Sequence, residues 1–127
     1  FLELNIMEFK RIRLSLESTN KLRMFKMRTG LTPNISCRLA LSLSINDTNK
    51  LSFELYSDDT GQEINRYTFL GDQEQILLCL FTQWCHENNV KKKNYYEYLN
   101  AHINRGVEML ANRVKGLDGL LELLKNN

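Results

Sequence analysis

The chain has 127 residues, 43% of them hydrophobic and 25% charged, which is the composition of one globular domain able to bury about two thirds of its unfolded surface. No apolar run approaches the roughly 20 residues a membrane span requires, and the opening FLELNIM is too short and lacks the basic lead of a signal peptide. The net charge of +2 is segregated. Residues 8–38 carry eight Lys/Arg against two acids, a balance of +6; residues 39–90 carry two against eight, −6; residues 91–127 carry seven against four, +3. Such asymmetry is the footprint of a polyanion partner, or of a solvated basic face that complements an acidic face on a neighbouring subunit.

Met7 is a plausible first residue, and residues 1–9 read as a leader ahead of a single domain over 10–115, with 116–127 as a tail. Residues 10–16 alternate: Ile12, Leu14 and Leu16 point one way, and Arg11, Arg13 and Ser15 the other. This spacing predicts a half-buried strand whose exposed face carries guanidiniums. Ser18 or Thr19 can cap the following helix, on which Leu22, Phe25 and Thr29 share a face and Lys21, Arg23, Lys26 and Arg28 occupy most of the rest. Gly30 is the left-handed stop, and Thr32-Pro33 the start of a second helix with Pro at its first position. Residues 39–45 alternate like a strand, yet the preceding cap makes them helix, with burial expected nearly all round.

Residues 51–56 and 64–69 also alternate, and the turn residues at 57–61 between them predict a β-hairpin. Gly71-Asp72 opens a helix to about residue 87, with Ile76, Leu77, Leu80, Phe81 and Trp84 as its apolar face. A basic loop follows, then a long helix over 95–115 striped by Tyr96, Leu99, Ile103, Val107, Leu110 and Val114. The tail reads as a separate short amphipathic helix through Leu117, Leu120, Leu121 and Leu124. The fold class is mainly α with short β-strands (α+β): a ribbon-helix-helix-like β-α-α unit, a β-hairpin and C-terminal helices.

A lone strand leaves its backbone groups unpaired. Paired with its twin in a second copy, the strand would form a two-stranded ribbon presenting Arg11 and Arg13 from both chains to a DNA groove; paired within its own chain, it leaves them as surface arginines. Arginine suits phosphates and guanine edges because its planar fork binds bidentately. Thr32 and Asn34 at the second helix's start could help hold a phosphate, or be a plain cap. Lys91, Lys92 and Lys93 beside Tyr95, Tyr96 and Tyr98 suit backbone contact with base stacking, or a solvated loop beside packing tyrosines. Cys37, Cys79 and Cys85 form an odd, scattered set that fits a reducing cytosol, and with His86 and His102 they show no metal-ligand spacing. No catalytic constellation, metal site or cofactor motif stands out.

The segment Arg11 to Ile45 resembles the signature region of the DndE family of DNA sulfur modification proteins. The resemblance rests on Arg11-Ile12-Arg13-Leu14-Ser15, Leu22, Lys26, Arg28-Thr29-Gly30-Leu31-Thr32-Pro33-Asn34, Cys37-Arg38 and Ala40, with Ala101-His102-Ile103 and Arg105-Gly106 resembling the family's final helix. It covers residues 10 to about 115. The resemblance implies a bacterial cytoplasmic protein of a phosphorothioation system, in which sulfur replaces a non-bridging phosphate oxygen. It implies as partners a cysteine desulfurase, an iron–sulfur reductase-like protein and an ATPase. It also implies a homo-oligomer, dimer or tetramer, that binds duplex DNA with a preference for nicks. The expected DNA contacts are Lys10, Arg11, Arg13, Lys21, Arg23, Lys26, Arg28, Thr32, Asn34, Arg38, Lys91, Lys92 and Lys93. Two rival readings are a sequence-specific ribbon-helix-helix repressor and an assembly subunit that does not bind DNA. An enzymatic nicking step stays open.

Overall fold

The computed structural model describes residues 7–125, the side chains of 116–123 excepted. Residues 1–6 and the side chains at the expected tail positions Leu117, Leu120 and Leu121 therefore lie outside the described residues. Strand β1 (Arg11–Arg13) has the alternation its sequence dictates, with Ile12 fully buried between exposed Arg11 and Arg13. It pairs antiparallel with β2 (Glu63–Asn65) of the same chain, Ile12 facing Ile64 and Arg13 facing Glu63.

That pairing decides between the strand's two readings. β1 pairs within its own chain, and the ribbon shared between two copies gives way because both edges of β1 are occupied. Its second edge is closed by side chains of the long helix α5 (Tyr95–Lys125). The Tyr96 hydroxyl donates to the Arg11 carbonyl at 2.8 Å, Asn100 Oδ1 accepts from the Arg13 amide at 3.2 Å, and Asn104 Oδ1 accepts from the Ser15 amide at 3.0 Å. Residues spaced by four share a helix face, so one row of α5 does for β1 what a third strand would do.

The expected hairpin also gives way. Phe53–Tyr56 is a short 3₁₀ turn whose Phe53 stacks on Tyr98 at 4.9 Å. β2 ends at Asn65 because that side chain accepts from the Thr68 amide at 3.0 Å, capping the five-residue helix α3 (Arg66–Leu70).

Helix α1 (Leu16–Thr29) starts earlier than expected, with Ser15 as its cap: Ser15 Oγ accepts from the Ser18 amide at 2.9 Å. The carboxylate of Asp58, from the loop before β2, accepts from the Leu16 amide at 3.0 Å. That bond first, and the Thr60 hydroxyl next, hold its pKa below the ordinary carboxylate value. Gly30, at φ 79°, ends the helix as expected.

Helix α2 (Pro33–Asn46) includes residues 39–45, whose cap outweighs their alternation. Its burial is one-sided, however: Cys37, Ala40, Leu41 and Ser44 face the core, while Ile35 and Leu39 are 39% and 44% exposed. Helices α2 and α5 form the principal interface, and at their crossing a Cβ on Gly106 would sit 1.9 Å from the Ala40 carbonyl oxygen. Only a glycine lets the two backbones approach that closely.

Helix α4 (Glu74–Glu87) follows a 3₁₀ turn at Gly71–Gln73 and buries Leu77, Leu78, Phe81, Thr82 and Cys85. The expected face is thus rotated, leaving Ile76 and Leu80 largely exposed. Helix α5 corrects the tail. It runs unbroken through Gly116 to Lys125, about 46 Å at 1.5 Å per residue.

A polar cluster lies inside the α2–α5 contact. Arg105 donates from Nε to Ser44 Oγ at 2.8 Å, from Nη2 to the Ser44 carbonyl at 2.6 Å and from Nη1 to the Asn49 carbonyl at 2.9 Å. Ser44 Oγ lies 2.7 Å from His102 Nδ1. That hydroxyl accepts from Arg105 and keeps both its proton and a second lone pair, so it can donate to Nδ1 or accept from it. His102 Nε2 is buried with no hydrogen-bond partner among the described residues. Burial first, and the Arg105 charge second, lower the His102 pKa from 6.5 to about 3.

Candidate nucleic-acid interface

β1 places Arg11 and Arg13 on the outer face because their neighbours Ile12 and Leu14 are buried. Both guanidiniums reach one carboxylate across the strand pair: Arg11 Nη1 is 3.4 Å and Arg13 Nε 3.5 Å from Glu63. All three side chains are roughly half exposed, so solvent screens the pairing and leaves it weak.

On α1 the buried Ser18 and Leu22 fix the helix rotation. At about 100° per residue, Arg23 and Lys26 fall about 60° apart on one flank, and Lys21 and Arg28 about 20° apart on the other. Lys21 is 2.8 Å from Glu17, one turn back, and lines a groove toward α5 with Met24, Phe25 and Arg28. Arg23 and Lys26 point away from that groove and are exposed. The four cations of α1 therefore form two sets, not one face.

At the α1–α2 turn, Thr32 makes no side-chain bond to the helix backbone; its hydroxyl instead donates to Asn34 Oδ1. Thr32 and Asn34 therefore stand together at the start of a 14-residue helix. Arg38 has a different task. Its Nε donates to the Phe69 carbonyl at 2.6 Å and its Nη2 to the Thr68 carbonyl at 3.2 Å, covering the end of α3. Gly71, at φ 51° and ψ −137°, holds a backbone conformation that residues with a Cβ rarely adopt, and the Arg38 guanidinium lies in the space beside it.

Lys91, Lys92 and Lys93 are exposed on the 3₁₀ turn that leads into α5. Of the three nearby tyrosines, Tyr98 packs on Phe53 and Trp84, and Tyr95 sits edge-on to Phe81 at 6.1 Å. Tyr96 alone lines the open groove at β1, beside Phe9, Lys10, Arg11 and Arg13.

Phe9, expected in the leader, packs against the core and is covered on one face by Arg66, 4.6 Å from the ring centre. Arg66 also donates to the Met7 carbonyl at 2.9 Å and pairs with Glu74 at 2.6 Å, clamping residues 7–9 to the domain. The sequence signal for this clamp is a basic residue in an otherwise acidic stretch.

Two of the three thiols are buried and one is exposed. Burial pushes Cys37 and Cys85 up to about 12, so neither presents a thiolate near neutral pH. Cys79 is exposed. Among the described residues no group of His, Cys, Asp or Glu is placed to hold a metal, and no helix is long and apolar enough to cross a membrane.

The family model described as DNA sulphur modification protein DndE matches residues 11–117. Among solved structures, the chain is similar to DndE from Escherichia coli B7A, involved in DNA phosphorothioation modification: 27% identity, TM-score 0.69, covering 82% of this chain and 98% of that one. A mutant DndE involved in DNA phosphorothioation is similar at 25% identity and TM-score 0.67, covering 82% of this chain and 99% of that one. No curated protein matches the sequence. With the family model spanning most of the chain and both folds superposing over nearly their whole length, this chain belongs to the DndE family of DNA sulphur modification proteins.

Proposed function

We propose that the chain is the DNA-binding subunit of a DNA phosphorothioation system, gripping the duplex backbone with little base readout and preferring nicked duplex. The carrying observation is the charge of residues 10–28: seven cations against Glu17 alone, with Arg11, Arg13, Arg23 and Lys26 exposed on β1 and α1. Phosphate contacts hold register without carrying sequence, which suits a modifier acting at many sites. Lys10, Lys21, Arg28 and the Lys91–93 run extend the cationic surface, with Thr32 and Asn34 as polar contacts. Arg38 is a secondary contact at most, since its guanidinium already serves α3.

The working assembly in this reading is a cytoplasmic homo-oligomer, dimer or tetramer, acting with the cysteine desulfurase, iron–sulfur reductase-like protein and ATPase of the system. Uncharged residues on the outer faces of α2 (Ile35, Leu39) and α4 (Ile76, Leu80) support self-association. One rival is an assembly subunit whose basic face meets a protein, and it would use the same arginines that Glu63 contacts.

The test compares intact, nicked and single-stranded DNA across a salt series, with Arg11→Ala and Lys26→Ala beside wild type. Removing one cation that neutralises a phosphate should lower the slope of log affinity against log salt by about 1. Binding indifferent to salt and to both substitutions would overturn this reading.

A further inference from the structure

The groove at the start of β1 combines features that plain backbone binding does not use. It is an open depression of about 580 Å³ lined by Phe9, Lys10, Arg11, Arg13 and Tyr96, with Glu8 and Asp59 at its rim. That volume lies in the range of small-ligand sites. Tyr96 is held rigid from two sides. Its hydroxyl donates to the Arg11 carbonyl at 2.8 Å, and Phe9 backs it at 6.1 Å between ring centres with 40° between planes. The opposite face of Phe9 is covered by Arg66. The two rings are too close to admit a base between them, which needs about 6.8 Å, twice the roughly 3.4 Å stacking rise. A flat ligand therefore has the outer Tyr96 ring to lie on.

We infer that this groove binds a single unstacked nucleotide of DNA, its base stacked on Tyr96 and its phosphate held by Lys10 and Arg13. The reading rests on the DNA-binding function proposed above and adds an extrahelical base as the ligand. Every base offers a π-face to a fixed aromatic ring, and neighbouring cations take the adjoining phosphate. Carboxylates at the rim accept from exocyclic amines on base edges. A ring pre-fixed by a hydrogen bond and a second ring loses little freedom on binding.

The test uses two duplexes of one sequence, fully paired or carrying a single unpaired 2-aminopurine, whose fluorescence falls on stacking. Wild-type protein should bind the bulged duplex about tenfold more tightly than the paired one, with quenching. Tyr96→Leu should abolish both the preference and the quenching. Tyr96→Phe, which keeps the ring, should retain quenching. Equal affinity for both duplexes without quenching, or quenching that survives Tyr96→Leu, overturns the inference and leaves the backbone-binding function standing. Loss of binding to every DNA overturns both. Should Tyr96→Leu fail to fold, the wild-type comparison decides alone.

Discussion

The α2–α5 interior and the β1–α1 surface use arginine in opposite ways. Arg105 is buried, and its donors are committed to two carbonyls and a hydroxyl of its own chain. Arg11 and Arg13 are exposed and held only by long contacts to one shared, half-exposed carboxylate. A charge count treats these residues alike. What separates them is the kind of acceptor nearby. The last turn of α2 and the loop after it offer carbonyls inside the fold that a long, forked donor reaches, whereas the strand face offers solvent and one half-exposed carboxylate. Arg38 and Arg66 belong with Arg105, for each ties distant segments together through carbonyl groups.

The largest break in this comparison is Arg105→Leu. Removing the guanidinium takes the Arg105 donor from the Asn49 carbonyl. It also takes one of two partners each from the Ser44 carbonyl, which keeps the Asp47 amide, and the Ser44 hydroxyl, which keeps His102. Losing three charge-assisted bonds should cost about 3 kcal/mol in unfolding free energy. Urea denaturation measures it, and a loss below about 1 kcal/mol would sink the view that Arg105 is structural. Arg11→Leu, by contrast, should stay within about 0.5 kcal/mol of wild type.

Much of this division is legible in the sequence only in outline. The alternation of residues 10–14, the Gly30 stop and the Thr32-Pro33 start are local signals, and the structure keeps each of them. The hairpin fails because a period of two over six residues does not say what pairs with it. Leu55, placed by pattern on the same face as buried Leu51, is 75% exposed, and Asn65 acts as a helix cap where the pattern asks for a strand residue. The α4 face departs from its pattern because Thr82 counts as polar, yet its hydroxyl folds back to the Leu78 carbonyl at 2.9 Å and is buried. Gly116 has the look of a stop, although one glycine costs a helix only about 1 kcal/mol. Asn100 and Asn104 give no local signal, because their partners lie more than 80 residues away in β1 and at its end. At the candidate interface the cations themselves are legible. Glu63 and Phe9 are not, since their relevance comes from the β1–β2 register and the Arg66 clamp.

An effect that grows with acidity follows from His102. Folded His102 stays neutral down to about pH 3, whereas the unfolded residue takes up its proton near pH 6.5. Between those values the unfolded state binds more protons. Stability is therefore complete above about pH 6.5 and declines as pH falls toward 3, with a slope of up to about 1.4 kcal/mol per pH unit from this group. His102→Gln, which has no charge to gain, should flatten the thermal-melt profile over that window. Carboxylates titrate alike in both proteins, so the difference between the two curves isolates the imidazole. Identical profiles would mean that His102 is hydrated in the folded state and that the interior is less dry than the Ser44–His102–Arg105 cluster requires.

The smallest effect on folding is expected on the surface, and it bears most on function. Glu63 is an acidic partner shared by Arg11 and Arg13, and its contacts are long and screened. Glu63→Gln should therefore change stability by less than about 1 kcal/mol. If β1 meets the DNA backbone, that carboxylate competes with phosphate for the same two guanidiniums, and it also repels the incoming anion. Its removal should strengthen duplex binding at low salt and steepen the salt dependence, because each freed arginine can displace one more counterion. If the basic face instead docks on a protein, DNA affinity should not respond. A weaker affinity would mean that Glu63 orients the arginines for contact and does not restrain them, turning the looser of the two arginine sets into a preorganised one.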